Sequence, residues 1–188
     1  NLGNLLRAIN KYKEAVESYK KAININDKFF WAHYNLGATY TSLGIFDKAK
    51  KSLEKTIKLA PYFSAAHRSL SRIKKYKKDD KHLFEMHKIY ENQKIEDNQK
   101  KELAFAMGKA YEDIRDFDNS FKYYKTANLL QRKQINFSIQ DEVADFKKIK
   151  ETYNEELFRK FKQSGYDDSR VVFIIGMPRS GTTLIEQI

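Results

Sequence analysis

Small and apolar residues return along this chain at a fixed long period, and within each period they fall at helical spacing. "NLGNLL" at 1–6 recurs as "NLGATY" at 35–40, so that Gly3 and Gly37 stand 34 positions apart. Each glycine is followed by a small residue 12 positions later and by another 7 after that: Gly3, Ala15 and Ala22, then Gly37, Ala49 and Thr56, then Gly108, Ser120 and Ala127. Larger side chains fill the space between, with Leu36, Tyr40, Phe46 and Leu53 in one unit and Tyr111, Phe117 and Tyr124 in another. Small residues at these spacings let two antiparallel helices approach closely and let the next pair stack on them. Pro61 follows the second unit, where a helix has to stop.

Residues 1–27 supply most of one unit, 30–63 a complete one, and 101–134 a third with fewer matching positions. Between them, over 64–97, the pattern degrades. Ser71 stands where the glycine belongs, and neither of the next two sites holds a small residue. The spacing of Leu83, Met86, Ile89 and Tyr90 still predicts helices over 64–76 and 80–92. The whole pattern resembles the tetratricopeptide repeat, a helix-turn-helix unit, over the first 134 residues. The resemblance implies a right-handed solenoid of about four helix pairs, its third repeat degenerate, because one unit cannot bury its apolar face alone. Such a solenoid has a concave face suited to a protein or peptide partner. It can also serve only to scaffold or dimerise a neighbouring domain.

The period is absent beyond residue 134, and 135–168 reads as a helical linker. Ser138 is placed to cap a helix carrying Val143, Phe146 and Ile149, and Asn154 to cap another carrying Leu157, Phe158 and Phe161. "KQSGYDDSR" at 162–170 is polar and marks a turn before a second domain over 169–188. Residues 171–175 are unbroken in apolarity and rich in valine and isoleucine, which predicts a strand buried on both faces. The strand feeds "GMPRSGTT" at 176–183, and "LIEQI" continues as a helix. Strand, glycine-bounded loop and helix make a phosphate cradle. Gly176 and Gly181 allow close backbone approach, the helix amides face the anion, and Ser180, Thr182 and Thr183 add hydroxyl donors. Arg179 adds a full charge on a forked donor array. In the register of a nucleotide-triphosphate loop the lysine position is Thr182, which argues against an ordinary ATPase or kinase.

Arg-Ser-Gly-Thr-Thr after a buried strand is similar to the donor loop of sulfotransferases. Its arginine form is similar to that of tyrosylprotein sulfotransferases and of bacterial proteins that join tetratricopeptide repeats to a sulfotransferase domain. The resemblance implies 3′-phosphoadenosine 5′-phosphosulfate as donor and transfer of its sulfuryl group to a hydroxyl or amine. Carried onto matching positions, Arg179, Ser180, Gly181, Thr182 and Thr183 would hold the 5′-phosphosulfate. Arg179 would also neutralise the leaving phosphate oxygen, a catalytic role of positioning and electrostatics. The family's general base and its 3′-phosphate element are not among these residues. The expectation is therefore a fragment of a larger enzyme, inactive alone, and Glu186 reads as a helix-surface residue. The resulting fold class is mainly α: a tetratricopeptide-type α-solenoid, then the first strand-loop-helix of a P-loop-like α/β domain. Two other readings stand beside it, a repeat-only interaction scaffold and a P-loop phosphotransferase or NTPase.

Composition changes this picture little. The 36 Lys and Arg against 25 Asp and Glu leave a charge of +11, which would steer an anionic donor. The charges are interleaved over most of the chain, and the densest run, "KKYKKDDK" at 74–81, carries its own aspartates. It reads as a solvated helix end and turn, not as a nucleic-acid arm. No apolar stretch has the length of a membrane span. Cysteine is absent, which fits a reducing compartment and a cytoplasmic location. His33 and His67 are 34 apart, at one inward-facing repeat position, and His82 and His87 lie on different helix faces. Neither pair has metal-ligand spacing, so no metal is expected. The twelve tyrosines and thirteen phenylalanines fall mostly at helix-packing spacing and read as core.

Overall fold

The computed structural model describes residues 2–92 and 94–162, and among these every regular element is a helix. The structure falls into two units, Asn1–Asn136 and Phe137–Ile188. The first holds α1 (Leu2–Ala8), α2 (Tyr12–Ile25), α3 (Phe30–Ser42), α4 (Phe46–Leu59), α5 (Ser64–Ile73), α6 (Lys81–Tyr90), α7 (Asp97–Asp113) and α8 (Phe117–Gln134). They are four successive helix pairs. In the last pair, Lys101 near the start of α7 donates to Gln134 at the end of α8, while Ser120 near the start of α8 donates to the Gly108 carbonyl. That pattern is antiparallel.

The crossing within the first, second and fourth pairs is set by the absence of side chain on the first helix. A Cβ on Gly37 would lie 2.8 Å from Leu53 Cγ and 3.3 Å from the Ala49 carbonyl oxygen, so only glycine admits α4 at this distance. Gly3 against Tyr19 and Gly108 against Tyr124 repeat the contact, again 16 residues apart. Ala15, Ala49 and Ser120, the small residues 12 positions after each glycine, are buried at the same crossings. The turn between the helices also repeats. Gly44 has φ 71°, and Asn10 and Arg115 at the equivalent position adopt φ 61° and 63°. In each the next amide closes the helix end, as Ile45 N to the Tyr40 carbonyl at 2.9 Å, a glycine-type helix stop.

The third pair departs from this scheme, as its degraded sequence leads one to expect. Leu83 and Tyr90 occupy the sites where the other pairs carry small residues, and α7 packs chiefly on α5 and less on α6. Both helices are also shorter than their apolar spacing predicts, ending at Ile73 and Tyr90 instead of 76 and 92. The cause at the first end is visible. Lys74 is extended, and Tyr76 leaves the helix to bury its ring, its amide donating to Asp113 of α7 at 3.0 Å.

The core is built of small and aliphatic residues with a few tyrosines. The expected phenylalanine core is a misreading: among the described residues no phenylalanine is fully buried. Phe46 and Phe117, expected as fillers, are 54% and 65% exposed on the first turns of α4 and α8. The rings that meet the glycines at the crossings are tyrosines, Tyr19 on Gly3 and Tyr124 on Gly108, while Phe46 and Phe117 stand too early on their helices to reach them. Tyr19, Tyr40, Tyr76 and Tyr123 supply the buried rings of the core.

In the second unit, Ser138 caps α9 (Ile139–Thr152) by accepting from Asp141 N, and Asn154 caps α10 (Glu155–Lys160) by accepting from Leu157 N at 2.9 Å. Val143, Phe146 and Ile149 of α9 are exposed. The apolar run 171–175, the loop 176–183 and the stretch 184–188 lie outside the described residues.

Because Ala49 is wholly buried against the Gly37 turn, Ala49→Leu is expected to lower stability by about 1–3 kcal/mol through overpacking. Urea denaturation measures it, with Lys50→Leu on the exposed side of α4 as the comparison that should change little.

Candidate peptide-binding face

The first helix of each pair presents one stripe to its partner and another away from it. In α3 the inward stripe is His33, Leu36, Gly37 and Tyr40, all buried. The residues six, three and two positions before the glycine form the outward stripe, Trp31, Tyr34 and Asn35, none of them buried. The equivalent stripe on α5 holds Arg68, Ser69 and, one turn on, Arg72. On α7 it holds Glu102, Phe105 and Lys109, and on α1 it holds Asn4. These stripes are neighbours in space. The Arg68 guanidinium lies 4.3 Å from the centre of the Phe105 ring and donates to Glu102 at 2.8 Å, joining α5 to α7 across a separation of 34 residues.

The face changes character along its length. At the α1–α3 end a cavity of about 290 Å³ is lined by Asn4, Tyr19, Phe29, Trp31 and Asn35. The Tyr19 hydroxyl donates to Asn4 Oδ1 at 2.6 Å, so the Asn4 side chain is used there as an acceptor and keeps its amide N–H donors. Trp31 is 44% exposed and sits edge-on to Phe63, with ring centres 4.8 Å apart, while Tyr34 meets the same Phe63 ring at 4.9 Å. Farther along, α5 is cationic. Arg72 is exposed and makes no ion pair among the described residues, whereas Lys109 is taken up by Asp113 and by the Lys74 carbonyl. Reading the charges as interleaved surface passes over Arg68 and Glu102. They stand three and six positions before the glycine sites Ser71 and Gly108, so no repeat equivalence announces the pair.

The histidines have a different role. His33 Nε2 donates to the Asp27 carbonyl at 2.9 Å and His67 Nε2 to the Pro61 carbonyl at 2.7 Å, so each ties the preceding loop to its helix at the same repeat position. His67 continues into a buried chain that no sequence pattern announces. With its Nε2 proton on Pro61, neutral His67 offers Nδ1 as acceptor, and His82 Nε2 donates to it at 2.9 Å. His82 Nδ1 then accepts from the Tyr76 hydroxyl at 2.7 Å. Every ring nitrogen is engaged, and the chain has room for no further proton. Burial pushes His67 down from its ordinary pKa. Burial and the neighbouring His67 and Lys74 push His82 down to about 3. The pair floors a cavity of about 650 Å³ between α4, α5 and α6, with Ile57 and Leu70 in its walls and Lys58, Lys81 and Glu85 at its mouth. Among the described residues no three metal-ligating side chains converge. The loop residues Arg179, Ser180, Gly181, Thr182 and Thr183 lie outside the described residues, as does Glu186.

Comparison with known proteins identifies the solenoid. A family model described as TPR repeat matches residues 3–44, and models described as tetratricopeptide repeat match 30–63 and 102–134. The chain therefore carries tetratricopeptide repeats. An uncharacterized protein of Aquifex aeolicus (strain VF5) is 26% identical over 184 residues, covering 98% of this chain and 24% of that protein. Hsp70-Hsp90 organizing protein 1 of Glycine max is 44% identical over 62 residues, covering 33% of this chain and 11% of that protein. The chain thus spans a quarter or less of the length of either relative. Among solved structures, the crystal structure of MamA aligns with a TM-score of 0.55 and 23% identity over 72% of this chain and 78% of that one. A double mutant of MamA RS-1 aligns with a TM-score of 0.53 and 20% identity over 72% and 74%. At that identity the likeness is one of fold alone. None of the three matching family models is a sulfotransferase or P-loop model.

The histidine chain generates a pH dependence of known sign. Both imidazoles have depressed folded-state values, so below about pH 6.5 the unfolded chain takes up protons that the folded chain refuses. His82 should lower stability as the pH falls from about 6.5 towards 3, by about 1.4 kcal/mol per pH unit, and His67 acts in the same direction. His82→Gln, which does not titrate, should flatten that slope by about one proton. Urea denaturation at several pH values checks this, and an unchanged slope would contradict a neutral buried His82.

Proposed function

We propose that the repeats form a protein-binding module that holds an extended segment of a partner protein across the outward face of α1, α3 and α5. The observation that carries this reading is the face itself, a row of unburied aromatic, amide and guanidinium groups on consecutive first helices. Aromatic and arginine side chains are the types that dominate binding energy at interfaces, and side-chain amides suit the main chain of an extended peptide. The likeness over 62 residues to a protein named as organizing Hsp70 and Hsp90 supports a binding role. A cytoplasmic setting, consistent with the cysteine-free sequence, belongs to the same proposal.

A second reading concerns the chain's other end, and "GMPRSGTT" at 176–183 carries it. In this proposal the repeats deliver an acceptor to a sulfotransferase whose donor, 3′-phosphoadenosine 5′-phosphosulfate, is held by Arg179, Ser180, Gly181, Thr182 and Thr183. Arg179 is the single cation within that loop and would take the charge that grows on the leaving phosphate oxygen.

Selection from a random peptide display library on the full-length protein tests the first reading. Selected peptides should lose about tenfold or more in affinity on Trp31→Ala, the loss typical of an interface anchor. Peptides indifferent to that change would place binding elsewhere. The second reading is tested by calorimetric titration of the full-length protein with 3′-phosphoadenosine 5′-phosphate, with ATP and magnesium as control. Arg179→Ala should weaken binding of the bisphosphate about tenfold or more, and Arg179→Lys less. Binding of ATP in place of the bisphosphate would favour a phosphotransferase.

A further inference from the structure

We propose that the cavity between α4, α5 and α6 binds a small amphiphilic carboxylate, with an alkyl chain held inside and the carboxylate at the lysines of the mouth. The cavity is bordered by the second helices α4 and α6, and so is separate from the outward face of the first helices. Its origin is the irregular third pair. In the regular pairs the second helix closes onto a glycine of the first. Here Leu83 and Tyr90 stand where small residues belong, and α6 packs on α7 without a close crossing on α5. The space this leaves is about 650 Å³, within the range of about 300–1,000 Å³ typical of small-molecule sites.

The space is braced open. His82 Nε2 donates to His67 Nδ1 at 2.9 Å, the Tyr76 hydroxyl donates to His82 Nδ1 at 2.7 Å, and Lys74 pairs at 2.6 Å with Asp80, the residue that caps α6. These bonds fix α6 at its distance from α5, so the void does not close by collapse of its walls. They also use every nitrogen of both imidazoles, and the floor therefore offers a guest no free donor. Ile57, Leu70 and Ile89 beside it are buried aliphatic side chains. Such an interior accepts an apolar body and rejects one whose polar groups would go unpaired there.

The mouth has the opposite character. Lys58 of α4 and Lys81 of α6 are exposed and make no ion pair among the described residues. Lys88 lies over the Phe84 ring, 4.6 Å from its centre. Of the carboxylates on the rim, Glu54 stands 4.0 Å from Lys50, and Asp80 is taken up by Lys74 and the His82 amide. Glu85 is left facing a surplus of lysines, so the mouth favours an anion. An apolar interior beneath a cationic rim fits a chain with one carboxylate at its end. A dicarboxylate or a sugar acid would carry polar groups down to a floor that cannot satisfy them.

The test is calorimetric titration of the full-length protein with hexanoate, octanoate and decanoate below their micelle concentrations, with decylammonium as the cation of matching length. Decanoate should bind, and affinity should fall about tenfold for every two methylenes removed, the worth of returning them to water. Decylammonium should bind more weakly than decanoate by about fivefold or more, the worth of exposed charge contacts at more than one lysine. Lys58→Glu combined with Lys81→Glu, both at exposed positions, should invert that order and make decylammonium the preferred ligand. Glu85→Gln should tighten decanoate by about two- to fivefold. Ile57→Trp, which fills the cavity with a ring, should abolish decanoate binding while a thermal melt shows the fold kept. If that variant does not fold, the double charge reversal decides the matter. The proposal is overturned if decanoate does not bind at millimolar concentration, if its affinity is indifferent to chain length, if the double variant keeps the wild-type order of carboxylate over ammonium, or if a folded Ile57→Trp binds decanoate as the wild type does.

Discussion

The first helix of a regular pair carries no side chain where its partner crosses it, and the rest of the solenoid depends on that gap. Gly37 lets Leu53 and the backbone at Ala49 come within a distance that any Cβ would block, and Gly3 and Gly108 do the same in their own pairs. Close crossing turns one stripe of each first helix fully inward and so commits the opposite stripe to solvent. The outward row of Trp31, Tyr34, Asn35 and Arg68 follows from that commitment: these positions are turned from the second helix of their own pair and meet only the next unit, Trp31 and Tyr34 at Phe63 and Arg68 at α7. Repetition then brings successive rows side by side, so that Arg68 of α5 stacks on Phe105, the equivalent position of α7, and reaches Glu102 one turn before it.

The third pair shows the effect of filling the gap. With Leu83 in place of a small residue, α6 is bound differently, and a polar chain ties the pair together. Tyr76, His82 and His67 run as a single directed series of donors and acceptors ending on the Pro61 carbonyl. The Asp113 carboxylate holds the intervening loop, accepting from Tyr76 N and pairing with Lys75 and Lys109. Buried polar groups of this kind are costly unless every member is satisfied, and here no buried side-chain atom is left without a partner among the described residues.

The regular repeats were legible in the sequence because they are written in residue size at fixed spacing. Glycine and alanine 12 apart mean close approach whatever surrounds them, and Ser138 and Asn154 announced their helices through local capping chemistry. What failed was inference from residue type without volume. Phenylalanines at helical spacing looked like core, but the ring positions at the crossings belong to Tyr19 and Tyr124, and Phe46, Phe84, Phe117 and Phe121 lie outside. The histidine chain was illegible for another reason. It depends on where a displaced α6 comes to rest, a property of the packing and not of any local pattern. Arg68 lay between these cases: the register of Ser71 and Gly108 pairs it with Phe105, on which it stacks, and leaves Glu102, one turn earlier, unannounced.

The central claim is that close crossing within the pairs leaves the outward face of the first helices free for a partner. Amide hydrogen exchange of the full-length protein, with and without a saturating library-selected peptide, tests it most directly. The account predicts added protection confined to α1, α3 and α5, strongest around Trp31 and Arg68, with α2, α4 and α8 unchanged. Protection concentrated on α2, α4 or α8, with the first helices unaffected, would contradict it.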